Sequence, residues 1–152
     1  MTAAGSISLS LVQSLAVAHI QTEGTMSRQR VSRTARANAA RKKLAEDIRN
    51  YLLENLERKV TIRELADQFH ISETQVKNSF KTAFDVTVHS WFRTQKMQAA
   101  AEDLCSTDLS VLEIAGKYGF DNGSKFAGAF RETFHMTPSA YRLRNSDMFR
   151  DN

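Results

Sequence analysis

Apolar residues recur at helical spacing from about residue 44 onward. Ile48, Leu52 and Leu56 stand at i, i+4 and i+8 with Tyr51 beside them, so LAEDIRNYLLENL is predicted to be an amphipathic helix. TIRELADQF opens with Thr61 as predicted N-cap and Glu64 three residues later, the spacing of a capping box. Ser72 begins another helix, SETQVKNSFKTAF, in which Val76 and Phe80 carry the apolar face on to Phe84. A long helix is predicted over roughly 88–105, with Trp91, Met97, Ala100, Ala101 and Leu104 as its apolar residues. Three shorter helices follow, over 110–117, about 123–134 and 138–145, the last with Pro138 in the first helical position after Thr137. Strand-type alternation is nearly absent. The predicted fold class is all-α, with about seven helices.

The pattern repeats itself. Shifted by 49 positions, Glu64, Leu65, Ala66, Phe69 and Ile71 meet Glu113, Ile114, Ala115, Tyr118 and Phe120. Shifted by 50, after one inserted residue, Val76, Phe80, Lys81 and Phe84 meet Phe126, Phe130, Arg131 and Phe134. The same shift carries Thr87, Val88 and Trp91 onto Thr137, Pro138 and Tyr141. Chemically matched positions in one order imply two copies of one supersecondary unit.

Each copy reads as a short capped helix, a small residue, a tight turn and a second amphipathic helix. Ala66 and Ala115 fall where the two helices would cross, and only a small side chain permits that approach. Gly119 supplies the easy positive φ of a turn, and His70 takes its place, less comfortably, in the first copy. This is the pattern of a helix-turn-helix, whose second helix can enter a major groove. A helix of about 18 residues joining two such units spans ~27 Å. That is comparable to the ~34 Å between successive major-groove faces of a duplex.

The second copy, SVLEIAGKYGFDNGSKFAGAFRETFHMTPSAYR, closely resembles the signature of the AraC/XylS family of bacterial regulators. It holds the I-A pair, G-F, Ser-x-Phe, F-[KR] and the terminal T-P-x-x-Y-R. The first copy and linker, with FRTQKMQAAAEDL, resemble the family's more variable half, and the resemblance spans about residues 44–145. Where the family has glycine after each second helix this chain has Asp85 and His135, and Val88 replaces the family's Pro at the linker start. The resemblance implies an activator, or sometimes a repressor, that binds double-stranded DNA through two helix-turn-helix units and contacts RNA polymerase. Most members carry a sensor domain as well. Residues 1–43 are too few for one of the usual size, so the chain is expected to be a stand-alone member or the C-terminal piece of a longer regulator.

On the first recognition helix the predicted solvent side holds Glu73, Thr74, Lys77, Asn78 and Lys81, and the resemblance puts base-edge readers at Thr74, Lys77 and Asn78. Lysine can donate to guanine O6 and N7, asparagine can bond adenine N6 and N7, and a threonine methyl can meet a thymine methyl. The second recognition helix presents Gly123, Ser124, Lys125, Ala127 and Gly128, nearly without long polar side chains. Ser124 and Lys125 are expected at phosphates or a base edge, so this half is read as positioning the protein, with packing against another protein as the competing reading. Arg93, Lys96 and Arg131 are candidates for phosphates beside the linker helix and the second unit, with a solvated or salt-bridged side chain as the competing reading of each. Phe69, Phe80, Phe84, Phe120, Phe126, Phe130 and Phe134 recur at helical spacing and are assigned to the core rather than to base stacking.

Composition narrows the alternatives. A single cysteine, Cys105, excludes an internal disulfide framework and a Cys-rich zinc site. His19, His70, His89 and His135 are scattered without ligand spacing, and no Ser-His-Asp group, phosphate loop or carboxylate pair stands out. Neither an enzyme activity nor a cofactor is therefore expected. No stretch approaches the ~20 apolar residues of a membrane span, and the apolar opening lacks a basic n-region. The cytoplasm is the expected compartment.

Charge is unevenly divided. Residues 1–43 hold Arg28, Arg30, Arg33, Arg36, Arg41, Lys42 and Lys43 against Glu23 alone, whereas the rest of the chain is slightly acidic. Residues 1–43 are read as a basic arm, 44–145 as the double helix-turn-helix domain and 146–152 as a tail. Positions 7–20, with Leu11, Leu15 and Ala18 on one face, fit either a dimerising helix or disorder, and Met26 is an alternative start. The oligomeric state is left open. The basic run is read as a flexible arm joining the first helix near Asn38, although Arg41, Lys42 and Lys43 at a helix start would oppose its macrodipole and so point to an anionic partner or a longer helix. The leading function is sequence-specific DNA binding in transcription regulation. The acidic body and the small second recognition helix motivate the alternative, a helical protein-interaction module that has lost DNA readout.

Overall fold

A computed structural model describes residues 6–149, with side chains from Gly24 to Asn145. Every regular element among them is helical. The seven helices are α1 (Ser6–Glu54), α2 (Ile62–Gln68), α3 (Glu73–Phe84), α4 (Val88–Ser106), α5 (Val111–Lys117), α6 (Gly123–Phe134) and α7 (Pro138–Phe149). The chain divides into two units between Arg41 and Lys42.

The N-terminal unit is the leading part of α1, a helix of 49 residues. Its side chains from Gly24 to Arg41 are all exposed, and the Thr34 hydroxyl donates to the Arg30 carbonyl at 3.0 Å. The basic run is thus helical rather than a flexible arm that becomes helix near Asn38. Its alanines and arginines are among the strongest helix formers. Arg41, Lys42 and Lys43 stand inside a helix, so the conflict with a helix N-terminus does not arise. The side chains of Leu11, Leu15 and Ala18 lie outside the described residues. At the other end, α7 continues past residue 145 to Phe149.

The second unit holds two apolar cores that share α4. Ile48 and Leu52 of α1, Leu65 and Ala66 of α2, Val76 and Phe80 of α3, and Val88 and Phe92 of α4 form the first. Met97, Ala100, Ala101 and Leu104, further along α4, pack with Ile114, Ala115 and Tyr118 and with Phe126, Ala129 and Phe130 to form the second. Phe80, Phe126 and Phe130 are fully buried, and removing a buried phenylalanine side chain costs about 3–5 kcal/mol. Against the second core, α7 seats Tyr141 edge-on to Phe130 at 5.4 Å. The Arg142 guanidinium donates to the Leu104 carbonyl at 2.9 Å and also to that of Leu109.

The repeat in the sequence is a repeat in the backbone. The Ile71 amide donates to the Ala66 carbonyl at 3.0 Å, and the Phe120 amide to that of Ala115 at 2.9 Å. Asp85 donates to Lys81 and His135 to Arg131, at 2.9 and 2.8 Å. The turn residues His70 and Gly119 both have positive φ, 54° and 77°. Asp85 and His135, where the resemblance has glycine, adopt that left-handed conformation too, each at φ 57°.

The N-caps repeat in position, but the full box is made only once in each copy, at α3 in the first and at α5 in the second. Ser110 and Glu113 form the full reciprocal capping box of α5, as do Ser72 and Gln75 for α3. At α2, Thr61 accepts from the Glu64 amide at 3.1 Å, but the Glu64 carboxylate does not return the bond. It accepts instead from Arg58 Nη2 at 2.6 Å and from the Tyr51 hydroxyl at 2.9 Å. The expected box is half formed because a cation and a phenol compete for its acid, and their bonds, Arg58 foremost, hold that carboxyl below its usual pKa.

Candidate nucleic-acid interface

In α3 the buried side is Val76, Ser79 and Phe80, while Thr74, Lys77, Asn78 and Lys81 are exposed. Burial of Phe80 against Phe84 and Trp91, with ring centroids at 4.7 and 5.6 Å, fixes the rotation of the helix and hence the direction of the polar face. Gln75 is also exposed, but its side chain closes the cap of α3 and accepts from the Ser72 amide at 3.0 Å. Lys77 lies 3.9 Å from Glu73 one turn earlier, and both are largely exposed. Such a pair contributes about 0.3–0.5 kcal/mol, so Lys77 is readily released to another anion. Together these side chains offer donors, an amide and a methyl on one helix face, the types that read base edges in a major groove.

The corresponding face of α6 is smaller. Ser124, Lys125, Gly128 and Arg131 are exposed, whereas Gly123 and Ala127 are half-buried. A side chain at Gly128 would meet nothing within 4 Å, so that position has room for one. The Asn122 side chain caps α6 through the Lys125 amide at 2.8 Å.

Between the two helix-turn-helix units lies a cleft of about 640 Å³, lined among others by Lys59, Phe92, Arg93, Lys96, Phe120, Lys125 and Gly128. It brings together three of the expected site residues, Arg93, Lys96 and Lys125. Arg93 is half-buried and ion-paired with Glu132 of α6 at 2.7 Å. Lys96 is a correction: it does not reach out to phosphates. It is 6% exposed, and its Nζ donates to the carbonyls of Arg58 at 2.7 Å and Tyr118 at 2.8 Å. Its burial, then the nearby charges of Lys59 and Arg58, push its pKa down to about 8.

Lys59 is the cleft residue that sequence reasoning missed. It is exposed, and its Nζ donates to both carboxylate oxygens of Asp121, at 2.6 and 2.8 Å, which holds that carboxyl below its usual pKa. The pair joins positions 62 apart, so no local pattern announces it. Among the described residues there is no cluster of His, Cys, Asp and Glu able to hold a metal, and no helix long and apolar enough to cross a membrane.

Known proteins share this architecture. The helix-turn-helix domain family matches residues 65–144. The regulatory protein PocR of Salmonella typhimurium is 32% identical over 92 residues, 60% of this chain and 30% of PocR. The TetD protein of transposon Tn10 from Escherichia coli is 31% identical over 97 residues, 64% of this chain and 70% of TetD. The transcriptional activator AarP of Providencia stuartii is 27% identical over 92 residues, 60% of this chain and 68% of AarP. The matched region is thus less than a third of PocR but over two thirds of TetD and AarP. Among solved structures, the DNA-binding domain of the global transcriptional factor AdpA, in complex with a target DNA, superposes with a TM-score of 0.66. It is 25% identical, and the match covers 71% of this chain and 97% of that domain.

Proposed function

Because the chain belongs to the AraC/XylS family of helix-turn-helix regulators, we propose that it regulates transcription by sequence-specific binding to double-stranded DNA, with α3 and α6 in successive major grooves. The observation that carries this reading is the exposed face of Thr74, Lys77, Asn78 and Lys81 on α3, which packing of Val76 and Phe80 turns outward. α3 reads bases. Ser124, Lys125 and Arg131 on or beside the sparse face of α6 chiefly contact the phosphate backbone and set register. AdpA, a relative in fold, is seen with its target DNA, and AarP is an activator; both support the reading, and activation is the proposed direction of regulation. Contact with RNA polymerase and a cytoplasmic location belong to the same proposal.

The basic segment from Arg28 to Lys43 supplies general affinity for the duplex in this reading. Selection of bound sequences from a random duplex pool, at about physiological salt, tests the function. Enrichment of a bipartite site supports it. Absence of enrichment would favour a helical protein-interaction module, to which the acidic body and the small face of α6 are equally suited.

A further inference from the structure

The geometry points to Lys96 as the residue that locks the two helix-turn-helix units together and so sets the half-site spacing the protein accepts. This rests on the DNA-reading function proposed above. Lys96 projects from the middle of α4, the one helix shared by both cores. Its two acceptors belong to different units. Arg58 lies in the segment leading from α1 to α2 of the first unit, and Tyr118 is the C-cap of α5 in the second. One side chain thus satisfies a backbone carbonyl on each side of the seam, while its ammonium also lies 4.6 Å from the centroid of the Phe92 ring.

The rest of the seam converges on the same place. Gly119 packs against Arg58 and Lys59, Lys59 pairs with Asp121 across the two units, and Lys117 lies 3.5 Å from Glu57. The Lys59–Asp121 pair is exposed, and the half-buried Lys117 gives its shorter bond, 2.8 Å, to Asp103 on its own side of the seam, so both pairs contribute little to holding the seam. The Lys96 bonds are charge-assisted and shielded from water, where such a bond is stronger and costs more to lose. Lys96 is therefore the member of the seam whose removal frees the units to move. Two binding units on a rigid frame accept one spacing, whereas loosely joined units accept several at reduced selectivity. Lys96 acts through the frame and touches no DNA.

Two measurements on the full chain test this. The first needs no DNA: spin labels at Thr82→Cys and Ser139→Cys, exposed on α3 and α7, are introduced with Cys105→Ala, and the distance distribution between them is recorded. Lys96→Met, which keeps the apolar stem and removes the donor, is expected to broaden it about twofold or more; an unchanged width overturns the inference. The second compares the selected bipartite site with the same site lengthened by one base pair. The native protein is expected to lose ~10-fold in affinity and Lys96→Met less than ~3-fold, with half-site affinity the same for both. A residue that merely stabilises the fold would lower all affinities in parallel, and that outcome also overturns the inference. If Lys96→Met fails to fold, Lys96→Gln, whose shorter neutral amide cannot reach both carbonyls, should also broaden the distribution, and an unchanged width there overturns the inference, whereas Asp121→Ala on the exposed edge of the seam should leave the width near native. A failed selection would overturn the DNA reading alone, since the label distances stand apart from it.

Discussion

Gly119 lies directly against Lys59: a methyl group at position 119 would come within 3.4 Å of both the Cγ and the backbone nitrogen of Lys59. The same glycine has φ 77°, a conformation that side chains rarely adopt. Gly119→Ala is therefore expected to cost about 1–3 kcal/mol of stability. In the first copy His70 holds the equivalent turn at φ 54° with a full side chain, and His70→Gly should relieve strain worth ~1 kcal/mol, in part offset by the greater freedom of unfolded glycine. Urea denaturation of both variants checks the pair. A clear loss for Gly119→Ala beside a smaller gain for His70→Gly is the expected outcome; destabilisation by both would mean that the two turns are not equivalent.

Division of labour between α3 and α6 is a second expectation. Asn78→Ala or Lys77→Ala should cost about 1–3 kcal/mol on the preferred site and relax preference at one or two base pairs. Ser124→Ala should weaken all sequences about equally. Titration against the preferred site and single-base variants separates these outcomes, and a larger change in base preference from Ser124→Ala than from Asn78→Ala would reverse the assignment.

The buried Lys96 also makes a pH prediction. Around it stand Arg58 with its partner Glu64, Lys59 with Asp121, and Arg93 with Glu132. Lys96 titrates near 8 when folded and near 10.5 when unfolded. Between those values the unfolded chain binds more protons, so stability from this group rises with pH; below about 8 the cost of the buried charge is fully present. Relative to Lys96→Met, the native protein should therefore gain stability from pH 8 to 10. Parallel stability curves for the two proteins would refute the assignment.

Salt dependence tests the basic segment. Each neutralised phosphate contributes about −0.9 to the slope of log K against log salt on duplex DNA. Deleting residues 1–40 removes Arg28, Arg30, Arg33 and Arg36 and should make that slope visibly shallower, weaken non-specific binding and leave the preferred sequence unchanged. Identical slopes would make the segment a spectator or a protein contact.

Much of the fold was legible because it follows from apolar spacing. Val76, Phe80 and Phe84 predict one face of α3, and their counterparts Phe126, Phe130 and Phe134 predict α6, so the repeat and the outward face of Thr74, Lys77 and Asn78 follow together. Lys96 was misread because a lysine amid polar neighbours reads as solvent-facing. Its partners are backbone carbonyls 38 and 22 positions away, which leave no side-chain signal. Glu64 had the spacing of a cap, yet Arg58 and Tyr51, brought close only by tertiary packing, take its carboxylate. The length of α1 was hidden for another reason: its basic stretch from Arg28 to Lys43 carries helix propensity without an apolar stripe, and periodicity is blind to that.

Hydroxyl-radical footprinting on the selected site tests the central claim most directly, that two helix-turn-helix units bind successive major grooves. The account predicts two protected segments on one face of the duplex, about 10 base pairs apart centre to centre, with the segment under α3 lost first in Asn78→Ala. A single protected segment, or diffuse protection that does not depend on sequence, would contradict it.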